Sequence, residues 1–216
     1  RLAVPLEWQD AVIRAAITLK LCQYEETGAI VAAMTTSIPE APHSGRNWDY
    51  RYCWLRDAFF VVRALNSLSE TGTMEDYLRW LRDAIGHIAG DHIQPLYGIG
   101  LESELTESVV EHLGGYRGHA PVRVGNQAQE HFQHDVYGSV VLGATQAFHD
   151  HRLLVRGDRA DFAALEMMGE QAWRLHDQPD AGIVHFKHFG INQDDKLCVL
   201  AERRVLLKRK SHWANR

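Results

Sequence analysis

The residues best suited to chemistry lie together in residues 47–57, where four aromatic side chains are mixed with two arginines and two aspartates. A pyranose presents hydroxyl groups that suit charged donors and acceptors, and apolar C–H faces that suit flat aromatic rings. Arg56 and Asp57 are adjacent, so at the entry to a helix their side chains can diverge around neighbouring hydroxyls and form charge-assisted hydrogen bonds. The segment therefore indicates a sugar-binding site.

The same residues also fit a structural role. Asp57 could cap a helix N-terminus, and Arg56 could pair with a buried carboxylate. Tyr50 and Trp54 could then fill the hydrophobic core, as aromatic side chains often do. Residue types alone leave both interpretations open.

The elements that would position this segment are helices. Apolar residues recur at spacings of three and four in six stretches, which predicts helices at 7–23, from 57 to about 68, 73–88, 135–155, 161–176 and after 194. Thr73, followed by Glu75 and Asp76, is predicted to cap the third helix. Two long irregular segments separate the helices, 27–54 with a possible short strand at 29–33, and the glycine-rich 94–133. Loops of that length inside a domain are usually functional, so 94–133 is predicted to form a binding wall.

An ordered series of short motifs carries a family resemblance. The motifs lie at residues 37–40, 45–58, 96–99, 115–118, 121–126, 135–138 and 176–183. Together they resemble glycoside hydrolase family 15, the bacterial glucoamylase and trehalase group, over residues 1 to about 183.

The resemblance implies an all-α fold, an (α/α)6 toroid of the six-hairpin glycosidase type. It also implies inverting hydrolysis of terminal α-glucosidic bonds by a glucan 1,4-α-glucosidase or a trehalase. The substrate would be an α-glucoside or oligosaccharide such as a maltooligosaccharide or isomaltose, with trehalose as the alternative. In the family, the positions that match Tyr50, Trp54, Arg56 and Asp57 line the subsite for the terminal glucose.

The sequence departs from the family where the general acid is expected. The family acid is a Glu that follows a Trp directly after a segment like 180–183, and here those positions hold Val184 and His185. The family base comes from a later connection that this sequence does not reach. We therefore assign no catalytic residue and expect about half of the barrel, with the remainder missing. Residues 1–183 are predicted to form a partial catalytic domain and 184–216 a divergent tail, as a frameshift or truncation would produce.

Two other functions remain open beside an impaired hydrolase. One is a non-catalytic sugar-binding remnant, or pseudoenzyme, which retains the glucose-contacting segment. The other is an all-helical interaction module, which would bind no sugar.

Charge and composition argue against several function classes. The net charge of -5 does not suit a nucleic-acid partner. Apolar runs are too short to span a membrane, and three widely spaced cysteines do not build a disulfide framework. The histidine groups at 131–134, 149–151 and 185–188 lack ligand spacing, so we predict no metal. We also predict no cofactor. Because the cysteines build no disulfide framework, we predict a cytoplasmic protein.

The glutamates at 102, 104, 107 and 111 are the other carboxylate group in the sequence. Glu104 and Glu107 could imitate a glycosidase pair. However, carboxylates three residues apart on one helix lie closer together than an inverting enzyme requires. A solvated face is the preferred interpretation.

Overall fold

The fold consists of two compact units, Arg1–Met168 and Gly169–Arg216. The computed structural model describes residues 3–4, 7–86, 92–176, 181–191 and 197–208. The helices are α1 (Gln9–Leu21), α2 (Leu55–Ser67), α3 (Gly72–Gly86), α4 (Asp135–Ala144), α5 (Gln146–His149) and α6 (Arg159–His176). The strands are β1 (Cys53–Trp54), β2 (Leu96–Tyr97), β3 (Ser108–Val109), β4 (Arg123–Val124), β5 (Ala181–Ile191) and β6 (Leu197–Lys208), and a 3-10 helix covers Gln127–Glu130.

Helices α2, α3 and α4 form the centre of the first unit, where α2 contacts both of the others. The buried residues of α2 are Leu55, Ala58, Val62 and Leu65, whose spacing of three and four gives one continuous apolar face. Tyr77 and Trp80 of α3 are stacked at 6.0 Å between ring centroids and are almost fully buried. Full burial of one such side chain contributes about 1.5–3 kcal/mol. The first unit is therefore dominated by helices, and its strands are two residues each and lie in the connections.

Three sequence predictions for the first unit need correction. The possible strand at 29–33 is reduced to an isolated β-bridge, in which Ile30 pairs with Gln23. The helix predicted for 135–155 is divided at Thr145 into α4 and the short α5, which ends at His149. Both the N–H and the hydroxyl of Thr145 donate to the Val141 carbonyl, and a hydroxyl bond of this kind often bends a helix. Thr73 lies inside α3, and its N–H donates to the Glu70 carboxylate at 3.2 Å.

The helix predicted after residue 194 is wrong, because Leu197–Lys208 forms β6. This strand pairs antiparallel with β5, from Ala181 opposite Lys208 to Ile191 opposite Leu197. Val199 and Val205 are β-branched, and a pairing partner overrides weak local preference for a helix. The helix and motif assignments also used Ile88 and residues 177–180. These lie outside the described residues. The domain limit at residue 183 stays a prediction.

Within the described residues, no helix is both long and apolar enough to cross a lipid bilayer.

The reactivity of the Cys53 thiol reports on the packing around the start of α2. Its side chain is fully buried, and burial raises the pKa of the thiol to about 12. Because the thiolate is the reactive form, we expect Cys53 to resist an aromatic disulfide reagent at pH 8 and to react fully after denaturation. A Cys22→Ser, Cys198→Ser double variant isolates this thiol. Rapid labelling of the native double variant would show that β1 and α2 are not packed as described.

Candidate functional site

An open cavity of about 320 Å³ lies beside residues 48–54. Its lining consists of Trp48, Tyr50, Trp54, Glu107, Asn126, Gln127, Ala128 and His131. The rings of Tyr50 and Trp54 lie 5.8 Å apart and are tilted by 49°. The structure thus brings two of the four predicted site residues, Tyr50 and Trp54, into one aromatic wall.

Short strands hold this wall in position. Trp54 lies opposite Leu96 in the β1–β2 pair, and the Leu55 N–H donates to the Pro95 carbonyl at 3.1 Å. Trp54 is only 6% exposed and packs with Leu96 and Leu105, whereas Tyr50 is half-buried against this cluster. Trp54 therefore belongs to the core on one side and lines the cavity on the other, and its contact with a sugar stays a prediction.

A buried carboxylate ties residues 49–51 to the segment that contains the lining residue Asn126. Asp49 has no exposed surface and receives two hydrogen bonds from the Arg51 guanidinium, at 2.9 and 2.8 Å. The Gly125 N–H donates to the same carboxylate at 3.3 Å, and the Asn126 side-chain amide donates to the Asp49 carbonyl at 3.0 Å. Residues 49–51 and 125–126 are thereby joined across a wide sequence separation.

Arg56 and Asp57 lie in the first turn of α2, next to the cavity but outside its lining. Arg56 Nε lies 3.1 Å from Asp57 Oδ1, and Arg56 Nη1 lies 3.1 Å from both Gln133 Oε1 and Asp135 Oδ2. Burial acts to lower the pKa of Arg56, but the carboxylates of Asp57 and Asp135 outweigh it and the pKa is raised. Of the two interpretations left open for Asp57, the helix cap does not apply, because Trp54 is the N-cap residue.

The Tyr50 hydroxyl has a charged hydrogen-bond partner of its own. Its hydroxyl donates to Glu40 Oε1 at 3.1 Å. Burial raises the pKa of Tyr50, and the hydrogen bond and charge of Glu40 and the charge of Asp57 raise it further. The structure thus places Tyr50 and Trp54 in the cavity lining, and Arg56 and Asp57 in the first turn of the helix that follows Trp54.

Sequence reasoning missed the remaining polar lining of the cavity. Asn126, Gln127 and His131 come from the long irregular segment predicted to be a binding wall, and Glu107 comes from the glutamates assigned to a solvated face. That assignment holds for Glu104, which is exposed, but not for Glu107, which is half-buried and paired with Arg123. Glu107 and Arg123 are sixteen residues apart by numbering, and no local pattern indicates their pairing.

The arrangement is suited to a neutral ligand with hydroxyl groups and apolar faces. Three aromatic side chains offer flat surfaces, and Glu107, Arg56 and Asp57 offer charged hydrogen-bonding groups nearby. Among the residues described, no group of three or more His, Cys, Asp or Glu side chains could hold a metal ion.

Comparisons with known proteins agree with this chemistry. Residues 8–180 match the family Glycosyl hydrolases family 15. The chain is 41% identical to a trehalase of Mycolicibacterium smegmatis over 136 residues, which are 62% of this chain and 20% of the relative. It is 36% identical over 179 residues to a trehalase of Mycobacterium tuberculosis, covering 82% of this chain and 26% of the relative.

A third relative, a trehalase of Thermoplasma acidophilum, is 37% identical over 183 residues, which are 83% of this chain and 30% of the relative. The chain thus spans less than a third of the length of these relatives. No solved structure gives a significant match to it.

Proposed function

The chain belongs to Glycosyl hydrolases family 15, and we propose that it carries the glucose-binding part of an inverting hydrolase of terminal α-glucosidic bonds. Trehalose is the substrate we favour, because the relatives described above are named trehalase. Maltooligosaccharides and isomaltose, which the resemblance to glucoamylases suggested, become the alternatives.

The observation that carries the proposal is the Arg56–Asp57 pair beside the aromatic wall. A guanidinium and a carboxylate 3.1 Å apart offer donors and acceptors to adjacent hydroxyls of one sugar. Gln133 and Asp135 hold the guanidinium from the start of α4. Tyr50 and Trp54 would contact the apolar face of the same ring, because aromatic side chains supply flat apolar surface.

Hydrolysis by inversion also needs an acid to protonate the leaving oxygen and a base to activate water. The positions expected to hold the acid contain Val184 and His185, and the family match ends at residue 180. We therefore assign no acid or base to this chain. This observation favours a second candidate function for the chain by itself, which is sugar binding without turnover.

Both candidates are tested with the full 216-residue chain. We expect saturable binding of trehalose by titration calorimetry, with a dissociation constant in the range of about 1 mM or below. We also expect no release of glucose from trehalose or maltose. Mannitol, an open-chain polyol without a pyranose face, is the control ligand and is expected not to bind.

The outcomes separate the candidates. Absence of binding to both trehalose and maltose would overturn the proposed sugar site. Glucose release by the chain would overturn binding without turnover and would require an acid and a base among its own residues.

A further inference from the structure

Glu107 occupies a different environment from the neighbouring glutamates. Its side chain is 21% exposed and lines the aromatic cavity, whereas Glu102, Glu104 and Glu111 are exposed. Among the residues that line the cavity, it is the one carboxylate. Partial burial of a carboxylate is costly unless the charge is paired, so Glu107 needs a positively charged partner.

Arg123 compensates the charge of the Glu107 carboxylate. Arg123 Nε lies 2.9 Å from Glu107 Oε1, and the Arg123 side chain is 17% exposed. The guanidinium lies over the Trp48 ring at 4.8 Å from its centroid. Its Nη1 donates to the Gly45 and Asn47 carbonyls at 3.2 Å each. The position of Arg123 is thus determined by the Trp48 ring and two backbone carbonyls. Its contact with Glu107 is an ion pair, since Arg123 Nε makes no hydrogen bond within the described residues.

The backbone gives the same pair a fixed register. Val109 lies opposite Arg123 and Ser108 opposite Val124 in the antiparallel β3–β4 pair, which brings the residues just before β3 alongside those just after β4. The Leu105 N–H donates to the Gln129 side chain, and the Asn126 N–H donates to the Leu105 carbonyl at 2.8 Å. Glu107 therefore lies on a segment whose backbone is held by hydrogen bonds at Leu105 and by the β3–β4 pair.

Two of the other polar lining residues, Asn126 and Gln127, have partners inside the protein. The Asn126 amide accepts from the Ala128 N–H at 3.0 Å and donates to the Asp49 carbonyl. The Gln127 amide donates to Glu130 at 3.3 Å. A carboxylate offers about four acceptor positions, and within the described part of the chain the Arg123 contact is made to Oε1, which leaves Oε2 able to accept from a ligand.

We infer that Glu107 is a sugar-binding residue in the lining of the cavity, where it forms a second wall of the site separate from Arg56 and Asp57. Its carboxylate accepts hydrogen bonds from hydroxyl groups of a pyranose in the cavity, and Arg123 and Trp48 act as positioning residues. Because Arg123 neutralises the charge of Glu107, the cavity suits a neutral sugar in preference to a cation. The inference rests on the proposed function, since that function supplies the sugar.

The test compares Glu107→Gln with Glu104→Gln in the full chain. Both changes remove one negative charge from the same segment, but Glu104 is exposed and outside the cavity lining. Hydrogen bonds to a charged acceptor are stronger than those to a neutral amide. We expect Glu107→Gln to weaken trehalose binding about tenfold or more in titration calorimetry, and Glu104→Gln to leave it unchanged within about twofold.

A second variant guards against a loss of folding. If Glu107→Gln lowers the melting temperature of the unliganded chain, Glu107→Asp replaces it, because it keeps the charge that pairs with Arg123 and shortens the reach by one methylene. We expect the same loss of affinity with the melting temperature preserved.

Three results are distinguishable. Weakened binding in a folded Glu107 variant, with the Glu104 control unchanged, supports the inference. Equal affinity of the folded Glu107 variants and the Glu104 control overturns it and leaves the proposed function standing. If the unsubstituted chain binds neither trehalose nor maltose, the proposed function fails and the inference fails with it.

Discussion

Arg56→Ala is expected to reduce the affinity of the chain for trehalose by roughly tenfold to a hundredfold. The change removes a guanidinium that would donate charge-assisted hydrogen bonds to the sugar, each worth about 1.5–3 kcal/mol. It also leaves Asp57 and Asp135 without their shared cation. Titration calorimetry of trehalose into the variant and the unsubstituted chain measures the loss.

Arg63→Ala is the matched control for this change. Arg63 lies on the same helix, and its side chain is exposed. We expect it to bind trehalose as the unsubstituted chain does. Because Arg56, Asp57 and Asp135 are each more than a third exposed, their pairing contributes little to stability, at most about 1 kcal/mol. Equal trehalose affinity in the two variants would remove Arg56 from the proposed site.

Gly125→Ala is expected to destabilise the first unit more than any other substitution proposed above. Gly125 has φ +85°, and a Cβ there would lie 2.1 Å from the Thr106 carbonyl oxygen and 2.8 Å from that of Leu105. Neither contact can be relieved by a side-chain rotation, because both partners are backbone atoms. We expect a loss of about 3 kcal/mol or more, which lowers the melting temperature by roughly 6–12 °C in a chain of this size.

The expected consequence extends to the site. The Gly125 N–H donates to Asp49 and to the Tyr52 hydroxyl, so a shift of this residue separates the two sides of the cavity. Gly114→Ala is the control, since a Cβ at Gly114 meets no atom within 4 Å. Thermal denaturation followed by circular dichroism compares the two variants. Similar melting temperatures for both would show that residues 105–107 and 123–126 are not packed as described.

The sequence by itself determined the helical framework and the site segment. α1, α2, α3 and α6 were predicted to within a few residues, because an amphipathic face is encoded locally by apolar residues three and four apart. The family was identified from the ordered motifs, and the match to residues 8–180 confirms it. The aromatic pair of Tyr50 and Trp54 follows from the same motif.

Boundaries and local caps were determined less well. Thr73 has the residue type and spacing of a helix cap, but the helix begins at Gly72, and the Glu70 carboxylate accepts from the Thr73 N–H. The predicted helix at 135–155 ends at His149 and is divided at Thr145, whose side chain also bonds the Val141 carbonyl, and a periodic pattern does not encode either feature. The strand at Leu197–Lys208 depends on its partner β5, since a strand obtains its hydrogen bonds from another segment.

Only the tertiary structure decided which polar residues share the cavity. The pairing of Glu107 with Arg123, the stacking of Arg123 on Trp48 and the contacts of Arg56 with Gln133 and Asp135 join residues 16 to 79 positions apart. Residue type and spacing report on neighbours along the chain, whereas burial and ion pairing depend on how distant segments pack. For this reason the sequence indicated a sugar-binding segment, and the three-dimensional arrangement was needed to find its second wall.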